Sequence, residues 1–238
     1  MGINIGSTGI SSLYLGSTEV TSMYVGSTKV YESAPAGVVI GGKTYPTVVM
    51  PDGKEWITVN LDYAYPGLTV ATSNVTSVTT PQAVYTNCDE ATYGWSGYRC
   101  GLLYNWYAVD YMEQNKSTLF PGWHIATDDE WFALVEDAIG VNVAGTKLKA
   151  VDGSAGTSWP TGWNGTDDYG FSVLPTGEWL SGYNFYEVGV STNFFTSSSK
   201  NTSTAYVHYF STAASVSAYP GASNKGNYLP VRLVKDST

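Results

Sequence analysis

A chain of 238 residues is long enough for one large or two small domains with a sizeable core. A net charge of −9 without any basic run removes the electrostatic drive for holding nucleic-acid phosphates, and no apolar stretch approaches the length of a membrane span. Only 13% of residues are charged, while Tyr reaches 19 and Trp 8. That balance suits an ordered, extracellular, β-rich binding protein better than a metabolic enzyme, because Tyr and Trp offer contact area at low entropic cost. The opening residues Met1-Gly2-Ile3-Asn4-Ile5 contain neither a basic nor an apolar signal region, so no secretory signal is expected there.

The first thirty residues repeat with a period of ten. Asn4-Ile5-Gly6-Ser7-Thr8 aligns with Tyr14-Leu15-Gly16-Ser17-Thr18 and with Tyr24-Val25-Gly26-Ser27-Thr28, each followed after one residue by Ile10, Val20 or Val30. Each unit reads as a short strand, a Gly-Ser-Thr turn and a second short strand. A unit this small cannot bury its own apolar face, so it must stack on its neighbours or on another chain. Residues 1–33 are therefore expected to attach or oligomerise the protein, most simply as a trimer. The ladder Leu13-Tyr14-Leu15-Gly16-Ser17-Thr18 resembles those that open structural proteins of phages infecting gut Bacteroidetes. The resemblance implies contacts with other virion proteins. Residues 34–43, opening on Ala34-Pro35-Ala36-Gly37, read as a linker.

The main domain is expected over 44–238. Val48-Val49-Met50 and Glu55-Trp56-Ile57-Thr58-Val59 flank Pro51-Asp52-Gly53-Lys54, which predicts a hairpin. Residues 66–87 read as strand and loop. Leu102–Met112 fits a first helix. A second starts at the capping box Thr127-Asp128-Asp129-Glu130 and stops at Gly140, with Trp131, Leu134, Val135 and Ala138 forming its core stripe. Beyond Gly140 only short strands and loops are expected. Two helices packed on a small, loop-rich antiparallel sheet make an α+β fold.

Val48–Tyr63, Gly101-Leu102-Leu103-Tyr104-Asn105-Trp106-Tyr107-Ala108-Val109, Phe120-Pro121-Gly122-Trp123-His124-Ile125-Ala126-Thr127, Gly145–Lys149, Gly170–Gly177 and Pro230–Asp236 form an ordered series. This series resembles the Fibrobacter succinogenes major paralogous domain over about residues 44–236. The resemblance implies a C-type-lectin-like fold, with residues near Glu55–Leu61 paired to Pro230–Val234. Members of that family are exported or lipid-anchored, whereas this chain begins with the phage-like repeat, so a virion is the expected location and a bacterial cell surface the alternative.

Chemistry has few footholds. His124 sits in the Gly-Trp-His motif before a helix cap, which points to structural hydrogen bonding. No Gly-x-Ser-x-Gly elbow occurs, and the reactive C-terminal cysteines of formylglycine-generating relatives have no counterpart after Cys100. No enzyme activity is expected. Asp167-Asp168 is a pair able to offer oxygens to calcium, but the Glu-Pro-Asn and Trp-Asn-Asp motifs of calcium-dependent lectins are missing, so no metal or cofactor is expected. Cys88 and Cys100 fit no zinc spacing; in an oxidising setting they would close a disulfide worth about 3 kcal/mol, and two free thiols are the alternative.

The surface expected to bind lies between residues 181 and 224. Tyr183, Asn184 and Tyr186 form its first cluster, followed by Asn193, Phe195, Ser197, Ser199 and Asn201. Tyr206 and His208 share one face of an alternating strand, and Ser217 and Tyr219 close the set. Aromatic faces beside adaptable amides and hydroxyls suit a host-surface glycan or protein. Phe194 and Val207 are expected in the core. The chain thus reads as a virion fibre or decoration protein, with a bacterial adhesin or a retroelement-diversified binding protein as the alternative.

Overall fold

The computed structural model describes residues 14–15, 18–19, 22–25, 28–32, 37–71, 79–85, 100–151, 159, 162–180, 184–212 and 219–237. The chain divides into two compact units, Met1–Ala36 and Gly37–Thr238.

In the first unit, β1 (Tyr14–Leu15) pairs antiparallel with β2 (Thr18–Glu19), and β3 (Ser22–Val25) with β4 (Thr28–Glu32). Leu15 pairs with Thr18 and Val25 with Thr28. The first repeat, 3–10, lies outside the described residues.

The second unit opens with β5 (Gly37–Ile40), which pairs with β6 (Lys43–Val49), so residues 37–43 of the expected linker form a strand, the turn after it and the first residue of the next strand. The predicted hairpin follows, with β6 against β7 (Glu55–Ile57) in the register Val48↔Trp56. Gly53, at φ +80°, turns the chain between them in a conformation that strains other residues. The five-stranded sheet runs β11-β18-β7-β6-β5, where β11 is Trp123–Ile125 and β18 is Leu233–Lys235. Val234 pairs with Trp56, and Leu61 N–H donates to the Val231 carbonyl at 3.1 Å. The two distant segments therefore meet as the family resemblance implied.

A six-stranded sheet runs β13-β12-β17-β10-β9-β8. Its strands are β8 (Thr69–Ala71), β9 (Gln82–Tyr85), β10 (Leu102–Asn105), β12 (Glu178–Trp179), β13 (Phe185–Tyr186) and β17 (Tyr228–Leu229). Its β8–β9 pair is parallel. The third sheet is β14 (Ser191–Ser199), β15 (Thr204–Ser211) and β16 (Tyr219–Asn224).

These sheets overturn the expected C-type-lectin-like layout of two helices on a small antiparallel sheet. Strand outweighs helix, 38% against 21%, and the sheets curl into half-barrels beside short helices. Three local causes account for the difference. Leu102–Asn105 is not the start of a helix but a fully buried strand, because Asn105 is the cap: its side chain accepts from Ala108 N–H at 3.0 Å and starts α1 (Trp106–Gln114) only there. A continuous apolar run does not itself separate the two states. Gly101, at φ +69°, also fits where a Cβ would meet the Leu61 carbonyl oxygen at 2.6 Å.

The second cause is a change of helical period. After the four-residue α2 (Lys116–Leu119), α3 (Asp128–Phe132) begins with both bonds of the capping box, as its sequence predicted. From Ala133 to Ile139 the chain then winds as a π-helix. The wider i→i+5 turn keeps Trp131, Leu134 and Val135 buried but turns Ala138 outward, and Ile139 takes its place against the core. Gly140 ends this segment, yet α4 (Val141–Leu148) follows where loops were expected. The third cause is the aromatic, Ser- and Thr-rich stretch from Ser191 to Ser211, whose strands β14 and β15 are buried on both faces.

That two-sided burial organises the interior. Phe195, Ala205 and Val207 on the β14–β15 hairpin join a core with Ile57, Leu102, Val109, Ile125 and Leu233. Phe194 and Phe210 point into a second core around Trp131, which meets Trp56 at 5.0 Å and Phe194 at 5.1 Å between ring centroids. Buried Arg232 donates from Nε to Asn60 Oδ1 at 2.9 Å and from Nη1 to the Ile57 and Phe171 carbonyls.

Candidate functional site

The expected binding surface does not stay in one piece. The β14–β15 hairpin carries most of it, and its middle is packed on both sides. Phe195 is sealed, its backbone N–H donating to the Pro230 carbonyl at 3.1 Å, so it is a core residue and not a contact for a ligand. His208 is corrected in the same way. It is buried, its ring stacks on Trp131 at 5.4 Å, and its Nε2 lies 3.1 Å from Asp128 Oδ1. This contact ties β15 to the first turn of α3. Phe194 and Val207 are buried as expected. Tyr183 and Ser217 lie outside the described residues, as does the side chain of Tyr219.

What remains accessible forms two patches, separated along β14 by the run from Asn193 to Ser199, about 20 Å of strand. At the hairpin base, Asn184 and Tyr186 are exposed, Tyr186 by 49%. The β12–β13 ladder sets Tyr186 opposite Glu178. Asn193, which pairs with Tyr209 across β14–β15, donates from Nδ2 to Glu178 Oε1 at 3.2 Å. Burial pushes the Glu178 carboxyl up to about 7, with the charge of Glu187 adding to the effect and Asn193 opposing it. Glu187 adopts a positive φ of 55° and accepts from the Ser191 hydroxyl. The Glu187 carboxylate in turn holds the Tyr186 phenol above its usual range. The patch thus offers an aromatic face rimmed by amides and by two carboxyls, one of which is near its protonation midpoint at neutral pH.

The second patch is the hairpin tip. Ser199 donates to the Asn201 carbonyl at 3.1 Å and accepts from Lys225 Nζ at 2.8 Å. Lys225 Nζ also lies 4.0 Å from the Trp106 ring centre, and Lys200 Nζ sits 5.3 Å over Tyr206. Asn201 Oδ1 accepts from the backbone N–H groups of Ser203 and Thr204, both at 2.8 Å, which makes it the organiser of the turn. Ser197 is likewise structural, because its hydroxyl donates to the Ile125 carbonyl at 2.9 Å. The tip is cationic and tied down by internal bonds, whereas the base has an aromatic ring open to solvent.

Elsewhere, His124 bridges two carboxylates, with Nδ1 2.6 Å from Asp236 Oδ1 and Nε2 2.8 Å from Glu130 Oε2. Two carboxylate neighbours require both ring nitrogens to carry protons. Burial would lower the His124 pKa, but Glu130 and Asp236 raise it overall. Glu130 also accepts from Lys54 at 2.7 Å and from Thr127 N–H, and despite burial its carboxyl is held down to about 2. This network locks β18 to the capping box, the structural role its motif suggested. Asp167 is also occupied internally, accepting from Ser172 N–H at 2.7 Å and Ser172 Oγ at 2.6 Å. Cys100 is a buried free thiol, and Cys88 lies outside the described residues.

Sequence reading missed Glu178 and Glu187, because nothing along the chain announces that Glu178 is buried opposite Tyr186 in the β12–β13 ladder. It also missed Tyr65 and Tyr111, which border a cavity in another part of the second unit. The Tyr65-Pro66-Gly67 turn was a usable signal for the former.

Comparison with known proteins returned one family. Residues 51–235 match the family model of the Fibrobacter succinogenes major domain. No curated protein matches the chain, and no solved structure does.

Proposed function

The chain belongs to the Fibrobacter succinogenes major domain family, and we propose that it is a phage virion structural protein, a head or tail fibre or decoration subunit, whose second unit binds a host-surface glycan or protein. The observation that carries the binding half is the hairpin base: a half-exposed Tyr186 ring rimmed by Asn184, Asn193, Glu178 and Glu187. Such a face offers stacking area together with donors and acceptors matched to hydroxyls and amides. The attachment half rests on the decapeptide repeats and their resemblance to phage ladders. Paired strands of two to five residues are too short to be stable alone, which favours association through residues 1–33.

Two measurements test this reading. Light scattering on the whole chain gives an oligomer, a trimer by preference, and removal of residues 1–33 gives a monomer; an unchanged mass removes the assembly role. A glycan array and a host-cell binding assay give signal with the intact protein that Tyr186→Ala abolishes; signal from neither removes the recognition role. The family name is that of a bacterium, which favours a second reading as a surface-exposed bacterial adhesin or a retroelement-diversified binding protein. Neighbouring genes separate the two: portal and capsid genes against export machinery.

A further inference from the structure

A cavity of about 300 Å³ is lined by Tyr65, Pro66, Gly67, Thr69, Thr80, Pro81 and Tyr111. Two of its walls are held by internal hydrogen bonds. Tyr65-Pro66-Gly67-Leu68 is a tight turn, with Leu68 N–H donating to the Tyr65 carbonyl at 3.0 Å and Gly67 at φ +93°. Pro before a positive-φ Gly is the sequence a type II turn demands. On the other side, Asn105 holds the strand entering β9: its Nδ2 donates to the Thr80 carbonyl at 2.8 Å and its Oδ1 accepts from Gln82 N–H at 3.0 Å.

The floor is a pair of tyrosines. Tyr65 is buried, and Tyr111, on the solvent side of α1 and 41% exposed, stacks on it with centroids 4.9 Å apart and planes at 17°. The Tyr65 hydroxyl is sealed from water and has no hydrogen-bond partner among the described residues. A hydroxyl buried in that state costs about 1–3 kcal/mol. An occupant that shifts the exposed Tyr111 ring and supplies a partner offsets this cost.

We propose that this cavity is a binding site for one neutral sugar ring, stacked on Tyr111 and hydrogen-bonded to the Tyr65 hydroxyl. Three features select that chemistry. Among the described residues the lining contains phenols and Thr hydroxyls but no charged side chain, which favours an uncharged polyol over an acid or an amine. The stacked tyrosines present a flat apolar face to the C–H side of a pyranose. The volume is at the lower end of ligand pockets, enough for one ring. A proline-rich peptide, the other ligand of aromatic grooves, needs an extended channel for its 3.1 Å per-residue rise, which a single compact cavity does not supply. This site is separate from the Tyr186 patch and depends on neither the virion nor the adhesin reading.

The test is saturation-transfer NMR on the full chain, with methyl glycosides of glucose, galactose, mannose and N-acetylglucosamine at millimolar concentration and a polyproline peptide as competitor. At least one glycoside binds. Tyr111→Ala abolishes the transfer, Tyr111→Trp retains it, and Tyr65→Phe weakens it about tenfold while the melting temperature holds or rises, because the lost hydroxyl had no partner. All of these measurements are made in the Tyr186→Ala background, so that a glycoside held at the hairpin base contributes no signal and this site is read alone. Absence of transfer from every glycoside, transfer that survives both Tyr111→Ala and Tyr65→Phe, or binding of the peptide alone overturns the proposal.

Discussion

Two aromatic regions of the second unit have opposite fates. The β14–β15 hairpin, rich in Phe and Tyr, is packed on both faces and surrenders Phe194, Phe195, His208 and Phe210 to the interior. The margin of the six-stranded sheet beside β8 and β9 leaves Tyr85 and Tyr111 exposed and a cavity at Tyr65. Composition does not distinguish the two, since both are aromatic and hydroxyl-rich. The number of layers covering the strand decides, and only topology determines that number.

The strongest way to break this comparison is to truncate the hairpin interior. Phe194→Ala removes a ring packed against Trp131 and Phe210 and is expected to cost about 4 kcal/mol in urea unfolding. A loss below about 1 kcal/mol would mean that the hairpin is loosely attached. Next in size is His208→Ala, which removes the ring stacked on Trp131 and leaves Asp128 without that partner; about 2 kcal/mol is expected from the shift of the denaturation midpoint.

The second histidine sharpens the contrast with a pH profile. His124 has its folded pKa raised above the ordinary 6.5, so the stability it contributes is fully present below about pH 6.5 and is lost as pH rises through the folded value. Glu130 works in the other direction. Held down to about 2 from 4.5, it contributes stability present above pH 4.5 that is lost as pH falls toward 2. The network is therefore fully engaged between about pH 4.5 and 6.5. His124→Gln is expected to flatten the decline above that window in melting-temperature scans, and an unaltered alkaline limb would remove the histidine from the account. The smallest effect belongs to the open ring at the hairpin base: Tyr186→Ala is expected to change stability by less than about 0.5 kcal/mol, while abolishing the array or cell-binding signal.

Legibility in the sequence followed the range of the interaction. The Pro51–Lys54 turn, the Thr127–Glu130 capping box and the Gly140 stop are set by residues within a few positions of one another, and each appears where the pattern put it. Asn105 was equally local, but it was hidden inside an apolar run that suits helix and strand alike. The π-turn after Phe132 left no periodic trace, because its apolar positions overlap those of an α-helix until Ala138. The two-sided burial of β14 and β15 was beyond local reading, since alternation assigns residues to two faces without saying whether either face meets solvent. This is why Phe195 and His208 of the expected surface proved to be core, while Glu178, placed opposite Tyr186 by strand pairing, went unnoticed.

The placement of β18 has a consequence for how the protein is made. This strand lies between β7 and β11, so residues 55–57 gain their neighbour on that side only when residues 233–235 reach them. A ribosome delivers the amino-terminal part of that sheet long before the strand that completes it. The residues between β7 and β18 must all emerge with Trp56 and the future bed of Arg232 uncovered, so this sheet closes only once a strand far downstream in the chain has been made.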